Sequence, residues 1–485
     1  MNGIGRIALG IDIGTSSVKA TAITESGRVL TASSAAYPTA IPFDGAAEQD
    51  PDDWWSALQT AAGDVLRTLL TEGAGISPAT TTIGLTGQMH TSVLLGPDQG
   101  LVHPAMLWSD KRATAECREI REQLPGFAEI TGNVPMPAFT VAHLLWLRRH
   151  RPEAARKVAS VLNPKDEIRR RLGAGHATEP ADASGTGMFD TRRGQWSETI
   201  LQALDLEPAW LAPVIDSHAV SGTVSGAAPH ATALTGLLAG VPVVGGGGDQ
   251  AAQAVALGVT KDGRVGLSLG TSGVVFAALA EPRRGCFRHS YEGLWLALDS
   301  THAAGLSLAW LAQLTGCGVP ELTSSTAGPE DSPLFLPYLQ GQRDSLSAEQ
   351  VPGAFVGLQA HHSRAQLAYA AMEGVAFELV RLAETMGVAG PRAGDAAGEP
   401  LYLGGGGGRS ERWRSLIASA FGRPVCFADR DSSFGAAQLA AEAVGWADEF
   451  AAADHSRPVV AEPELDLAER RARFEELRSS LAGNR

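Results

Sequence analysis

The chain has 485 residues, 44% hydrophobic and 19% charged, as in a globular protein with buried cores, and its length predicts two or three domains. Lys and Arg number 39 against 53 Asp and Glu, a net charge of −14, which speaks against a nucleic-acid partner because phosphate backbones are bound through clustered cations. Four dispersed cysteines offer neither a disulfide framework nor a zinc site, and no apolar run approaches the ~20 residues of a membrane span. From Met1-Asn2-Gly3 the chain enters a strand pattern almost at once, without a basic and apolar leader, so a cytoplasmic location is expected. Residues 6–37 read as a meander of strands in which Ile7, Leu9, Ile11 and Ile13 alternate and Gly27 supplies the hairpin glycine.

Asp50-Pro51 reads as a helix cap and first-turn proline, followed by Trp54, Leu58, Ala62, Val65, Leu66 and Leu69 at helical spacing. A second strand pattern, Thr82–Gly87, leads into the polar tip Gln88-Met89-His90. Val241–Val244 is a short apolar run, broken by Gly245–Gly248 and Asp249 before an alanine-rich helix pattern over 251–257. Residues 264–304 return to hairpin-like strands. Pro400–Leu403 runs into five glycines, Gly404–Gly408, and a helix from Glu411 to Phe421. The strand Val425–Phe427, an alanine-rich helix from Phe434, a loop-like stretch over 448–463 and a charged helix over 464–483 complete the chain. Alternating strands and helices predict an α/β architecture.

One internal similarity organises this pattern. Leu9-Gly10-Ile11-Asp12-Ile13-Gly14-Thr15-Ser16 is echoed by Val265-Gly266-Leu267-Ser268-Leu269-Gly270-Thr271-Ser272, an offset of 271 − 15 = 256 residues, about half the chain. A duplicated domain leaves such an echo, and so do two ordinary hairpins that share a Gly-Thr-Ser turn. The expected division is 1–243 and 244–485. Such a turn offers free backbone N–H groups and two hydroxyls to phosphate, without side-chain bulk at the glycine. Only the first copy keeps a carboxylate, Asp12, which reads either as a Mg²⁺ partner acting through water or as a cap for the turn. Asp249 stands at a helix start after a glycine run. It reads as a plain N-cap or, beside two phosphate turns, as a general base for an attacking hydroxyl. The Gly404–Gly408 run fits a nucleotide-contacting loop and lacks the acidic partner of a dinucleotide fingerprint.

Several segments resemble the FGGY carbohydrate kinases, and within them the xylulokinase subgroup, over nearly the whole chain. Gly10–Lys19 is similar to the family's first phosphate motif, and Glu48–Pro51 with Trp54-Trp55 to a segment usual there. Gly87-Gln88-Met89-His90 resembles the sugar-site motif, and Leu107–Asp110 with Arg112 its next landmark. Asn163–Asp166 and Ser184–Thr186 resemble middle segments, and Gly247–Ala252 the stretch that carries the catalytic Asp. Gly270–Gly273 resembles the second phosphate motif, Gly353–Glu373 the signature pattern, and Gly405–Gly407 with Arg409, Ser410 and Trp413 the adenosine loop. The resemblance implies two ribonuclease-H-like (actin-like ATPase) domains around a deep interdomain cleft. It also implies ATP and Mg²⁺ as cofactors and a small ketose as partner, with xylulose the first choice. Carried over by position, it implies Asp249 as base and Asp12 as the metal-associated acid. Thr15, Ser16, Gly270, Thr271 and Ser272 would hold phosphates, and Gly406, Gly407 and Arg409 would border adenosine. Gln88, Met89, His90 and Asp110 would line the sugar site together with Asp249. Another ketose or polyol as substrate, and an actin-like ATPase without a sugar, are the alternatives; a homodimer is left open.

The chain departs from the family pattern in four places. His143 stands where Lys is usual, and Thr91-Ser92 replaces a Gly-Ala pair. Pro337–Asp344 differs from a Gly-Glu-Arg-Thr-Pro stretch, and Asp431-Ser432-Ser433 takes the place of a Glu before the Gly435-Ala436-Ala437 helix.

Overall fold

The computed structural model describes residues 5–324, 326–341, 351–389, 399–446 and 459–482. The loop-like reading of 448–463 lies largely outside these residues, as does the Gln342–Asp344 end of one family departure. The chain forms two compact units that interleave along the sequence. The first takes Met1–Ala256, Ala280–Leu296 and Asp431–His455, and the second takes Leu257–Leu279, Ala297–Arg430 and Ser456–Arg485. Asp249 and the segment from Asp431 therefore belong with the N-terminal sheet rather than with the second half of the chain.

The first unit is built on β1 (Ile7–Ile13), β2 (Ser17–Thr24), β3 (Val29–Ala36), β4 (Thr81–Gly87), β5 (Val220–Thr223), β6 (Pro242–Val244) and β7 (Gly247–Gly248). Their order is β5-β6-β4-β1-β2-β3, with β7 continuing alongside β4. β1 runs antiparallel to β2 and parallel to β4. Successive strand residues face opposite sides. Ile7, Leu9, Ile11 and Ile13 accordingly join one core with Trp54, Leu58, Val65 and Leu69 of α1 (Pro51–Thr71), and Asp50 caps that helix as expected.

The even-numbered residues of β1 face the helix Ser432–Ala443 instead, with Ala8 packed against Phe434 and Ala437. Gly10 lies in register with Gly84, and a Cβ on either would sit 1.8 Å from a helix carbonyl, that of Ser433 or of Ala436. The helix thus rests on bare sheet backbone. It starts two residues before the expected Phe434, because the Asp431 carboxylate accepts from the backbone N–H groups of Ser433 and Phe434.

Gly63, by contrast, lies within α1 with no atom within 4 Å of where a Cβ would be. Gly63→Ala should stabilise the protein by ~0.5–1 kcal/mol through helix propensity alone, read as a higher denaturant midpoint at unchanged slope.

The second unit repeats the plan with β8 (Val265–Leu269), β9 (Gly273–Leu279), β10 (Trp295–Thr301), β11 (Leu401–Gly404), β12 (Val425–Phe427) and β13 (Val459–Ala461). Their order is β10-β9-β8-β11-β12-β13, and β3-β2-β1-β4-β6 of the first unit matches β10-β9-β8-β11-β12. In both, the first two strands pair antiparallel while the next two neighbours are parallel. The octapeptide echo is therefore the β1–β2 and β8–β9 turns of a duplicated α/β core. The helix Arg364–Thr385 is buried over most of its length, and the charged terminal helix covers Ala468–Ala482. Among the described residues no helix is long and apolar enough to cross a membrane.

Candidate active site

Strand alternation that turns Gly10 toward the Ser432–Ala443 helix turns Asp12 the same way, and Ser432 Oγ donates to Asp12 Oδ2 at 2.5 Å. Asp12 Oδ1 is buried and has no hydrogen-bond partner. Burial raises the Asp12 carboxyl to about 7 against the lowering effect of the Ser432 hydrogen bond, and the nearby Asp249 charge adds to the rise. Across the hairpin from Asp12, Lys19 pairs with Asp431. The departure at Asp431 thus keeps a carboxylate that both caps the helix and neutralises the lysine.

β7 places Asp249. Gly247 and Gly248 pair in register with Thr86 and Gly87, so the chain leaves β4 and β7 side by side, toward Gln88 and Asp249 respectively. Gly246 makes this approach at φ 76°, and a Cβ there would meet Leu85 O at 1.9 Å, so only glycine fits. Asp249 opens the helix Asp249–Leu257 (α2) and is partly exposed. Gln250 N–H donates to its Oδ1 at 2.8 Å, and the Met89 N–H also hydrogen-bonds the carboxylate. Burial nevertheless raises this carboxyl from 3.8 to about 6.

Gln88 is fully buried and donates to Gln49 Oε1 at 2.9 Å, with its own Oε1 unpartnered. Met89 packs beside Gly248, and His90 follows at φ 68°, a left-handed conformation uncommon for a side-chain-bearing residue. The His90 ring lies 5.3 Å from both Phe139 and Phe287. Its Nδ1 is 2.8 Å from Gly185 O, and a carbonyl only accepts, so Nδ1 carries the hydrogen. Burial pushes the ring down to about 4, which keeps it neutral and leaves Nε2 as an acceptor for a hydroxyl.

Asp110 is placed differently from these. It is buried, and its oxygens accept from Ala47 N–H at 2.8 Å, Arg112 N–H at 2.9 Å and Arg112 Nε at 2.8 Å. Arg112 also bonds Glu48 Oε1 at 2.7 Å, so the visible work of Asp110 is to anchor this arginine and its loop. Two of the family departures touch: Ser92 Oγ is 2.9 Å from His143 Nδ1, both fully buried, and His143 Nε2 has no partner.

Sequence reasoning missed the support behind the glycine run. Lys165 Nζ lies 2.7 Å from Asp166 Oδ1, 3.1 Å from Asp182 Oδ2 and 3.7 Å from Glu179 Oε1, all buried. Arg169 donates to Val244 O at 2.9 Å and Gly245 O at 2.7 Å, fastening the run to this cluster. Asp182 reaches Gly248, where its Oδ1 would be 3.0 Å from an added Cβ, and burial raises its carboxyl well above the ordinary range. The run Asn163–Asp166 was visible as a motif, but no sequence spacing links Lys165 to Glu179 and Asp182.

In the second unit the Gly270-Thr271-Ser272 turn is exposed or half-exposed. Gly305 and Leu306, at the head of the helix Gly305–Thr315, donate to Gly270 O and Thr271 O at 3.0 Å. These two bonds tie the turn to the head of that helix. Ser268 and Gly404 are in register, which carries the five glycines directly to this turn. Gly405 takes φ 83° with a Cβ position 2.6 Å from Leu269 O, Gly406 faces open space, and Gly406–Arg409 form a 3₁₀ turn before the helix Glu411–Phe421. Arg409 pairs with Asp429 at 2.9 Å on the surface.

The sequence profile of the FGGY family of carbohydrate kinases matches its N-terminal domain over residues 7–256 and its C-terminal domain over 265–444. The chain belongs to the FGGY family. Among its relatives, the xylulose kinase of Escherichia coli (strain K12) is 35% identical over 89% of this chain and 89% of its own length. The xylulose kinase of Klebsiella pneumoniae is 36% identical over 90% of each. A crystal structure of a "xyloylose kinase" from Brucella ovis superposes with TM-score 0.85 at 31% identity, covering 98% of this chain and 99% of that one. As an FGGY carbohydrate kinase the protein is a sugar kinase that uses ATP, and its duplicated core is the actin-like ATPase fold expected from the resemblance.

Proposed function

We propose that this FGGY kinase transfers the γ-phosphoryl group of ATP to a hydroxyl of D-xylulose, giving D-xylulose 5-phosphate and ADP. The observation that carries the reading is the Asp249 carboxylate, fixed by the Met89 N–H beside Gln88–His90 and close enough to Asp12 to shift its titration. Relatives of the same length that bear the name xylulose kinase supply the choice of sugar. Asp249 takes the hydroxyl proton as the oxygen bonds to phosphorus and the bond to the β-phosphate oxygen breaks. His90 Nε2 accepts from a second sugar hydroxyl, with Met89 and Gln88 shaping the pocket and Asp110 holding Arg112 behind it. Thr15, Ser16, Gly270, Thr271 and Ser272 bind phosphates, and Gly406, Gly407 and Arg409 border adenosine.

The unpartnered Asp12 Oδ1 fits a hydrated cation, and among the described residues no cluster of three His, Cys, Asp or Glu forms a closed cage. Mg²⁺ held by Asp12 through water would neutralise charge on the phosphates. The proposed setting is the cytoplasm, and size-exclusion chromatography decides between monomer and homodimer.

Coupled ADP-release assays over ketopentoses and pentitols test the substrate. D-xylulose should give the highest kcat/KM; a pentitol or ribulose that equals it would overturn the sugar assignment, and ATP turnover that no sugar stimulates would overturn the kinase reading. His90→Ala should raise the KM for the sugar about tenfold, the worth of one buried hydrogen bond, while ATP hydrolysis measured without sugar stays unchanged.

A further inference from the structure

Trp108 joins the two turns that the proposed reaction uses. Its indole Nε1–H donates to Thr15 Oγ1 at 2.9 Å, and its backbone N–H donates to Thr91 Oγ1 at 3.2 Å. An indole nitrogen is a donor only, so Thr15 Oγ1 is the acceptor and its hydroxyl hydrogen points away from the indole. Among the described residues that hydrogen has no acceptor, and Thr15 is half-exposed. Accepting one hydrogen bond also polarises the O–H and makes it a better donor for the next.

The other end of the link is rigid. Thr91 is fully buried and follows His90 directly. The helix Thr140–His150 pins its neighbours on both sides, with Thr140 Oγ1 donating to His90 O at 3.2 Å and His143 Nδ1 at 2.9 Å from Ser92 Oγ. The backbone of Trp108 is therefore registered against the sugar-side turn, and its ring carries that register 93 residues back in sequence to Thr15.

We propose that Trp108 is a positioning residue for phosphoryl transfer. It aims the Thr15 hydroxyl as a donor toward a phosphate oxygen and holds that turn in register with Met89-His90. The inference rests on the reading of Thr15 as a phosphate contact.

A double-mutant cycle tests it. Trp108→Phe keeps an apolar ring and removes the N–H, and should lower kcat about tenfold with little change in the sugar KM. In a Thr15→Val background the same substitution should cost nothing further, whereas in a Thr15→Ser background, where the hydroxyl remains, the loss should persist. Equal losses in the Val and Ser backgrounds, or a Trp108→Phe enzyme at wild-type rate, would overturn the proposal. Should Thr15→Val not fold, Thr15→Ala takes its place in the cycle. Failure of the underlying reading is distinguishable, because Thr15→Val alone would then leave kcat and the KM for ATP at their wild-type values.

Discussion

Asp249→Asn should lower kcat by a factor of about 10²–10⁴ while leaving the binding of ATP and sugar nearly intact. The amide keeps the shape of the carboxylate and can still accept from the Gln250 N–H through its oxygen, yet it cannot take a proton from the attacking hydroxyl. Single-turnover phosphoryl transfer and calorimetric titration of each ligand separate these effects, and near-normal turnover would remove Asp249 as the base. In the wild type the same group sets the acid limb. Its carboxyl titrates at about 6, so kcat should rise as pH climbs through that value and level off above it. The folded value lies above the ordinary 3.8, so the native state holds its proton longer than the unfolded chain does between those two values. Ionisation in that window opposes folding, and the Asn variant should therefore melt no lower than wild type at neutral pH. A lost activity with an unchanged melting curve cannot then be mistaken for unfolding.

Gly10→Val should cost at least about 3 kcal/mol and take activity with it. Its Cβ would lie 1.8 Å from Ser433 O and 2.6 Å from Ala437 N, both backbone atoms that no rotamer change can move aside. Relief requires the Ser432–Ala443 helix to lift from β1, which withdraws Ser432 from Asp12 and Asp431 from Lys19. Urea unfolding gives the stability loss, and an unchanged midpoint would show that the helix yields without cost. Gly63→Ala, by contrast, adds its Cβ in open space, so its effect reports propensity without crowding.

Much of this was legible in the sequence because the signals were local. Alternating Ile7, Leu9, Ile11 and Ile13 announced β1, the Asp50-Pro51 pair announced α1, and the Gly-Thr-Ser echo announced a duplicated core whose two sheets share one strand order. Asp12 and Asp249 could be singled out because each sits at a turn or helix start, where a phosphate or proton role competes only with a capping one. What stayed hidden depends on separation along the chain. Nothing in the sequence pairs Ser432 with Asp12, Trp108 with Thr15, or Lys165 with Asp182. Asp110 looked like a site residue, and only its geometry reveals that both its oxygens are spent on Ala47 and Arg112. The departures at Ser92, His143 and Asp431 read as isolated until the structure showed Ser92 against His143 and Asp431 against Lys19.

The helix that covers β1 also has a consequence in time. Ser432 emerges 420 residues after Asp12. At the usual pace of synthesis, about 5–20 residues per second, the glycine-lined face of the first sheet waits roughly 20–80 seconds for its cover. Until then the nascent chain exposes Ala8, Gly10 and Gly84 on one side of an otherwise assembled sheet. A ribosome stalled shortly before Ser432 would leave a nearly complete protein whose N-terminal sheet still lacks a wall, a species suited to capture by chaperones rather than to catalysis.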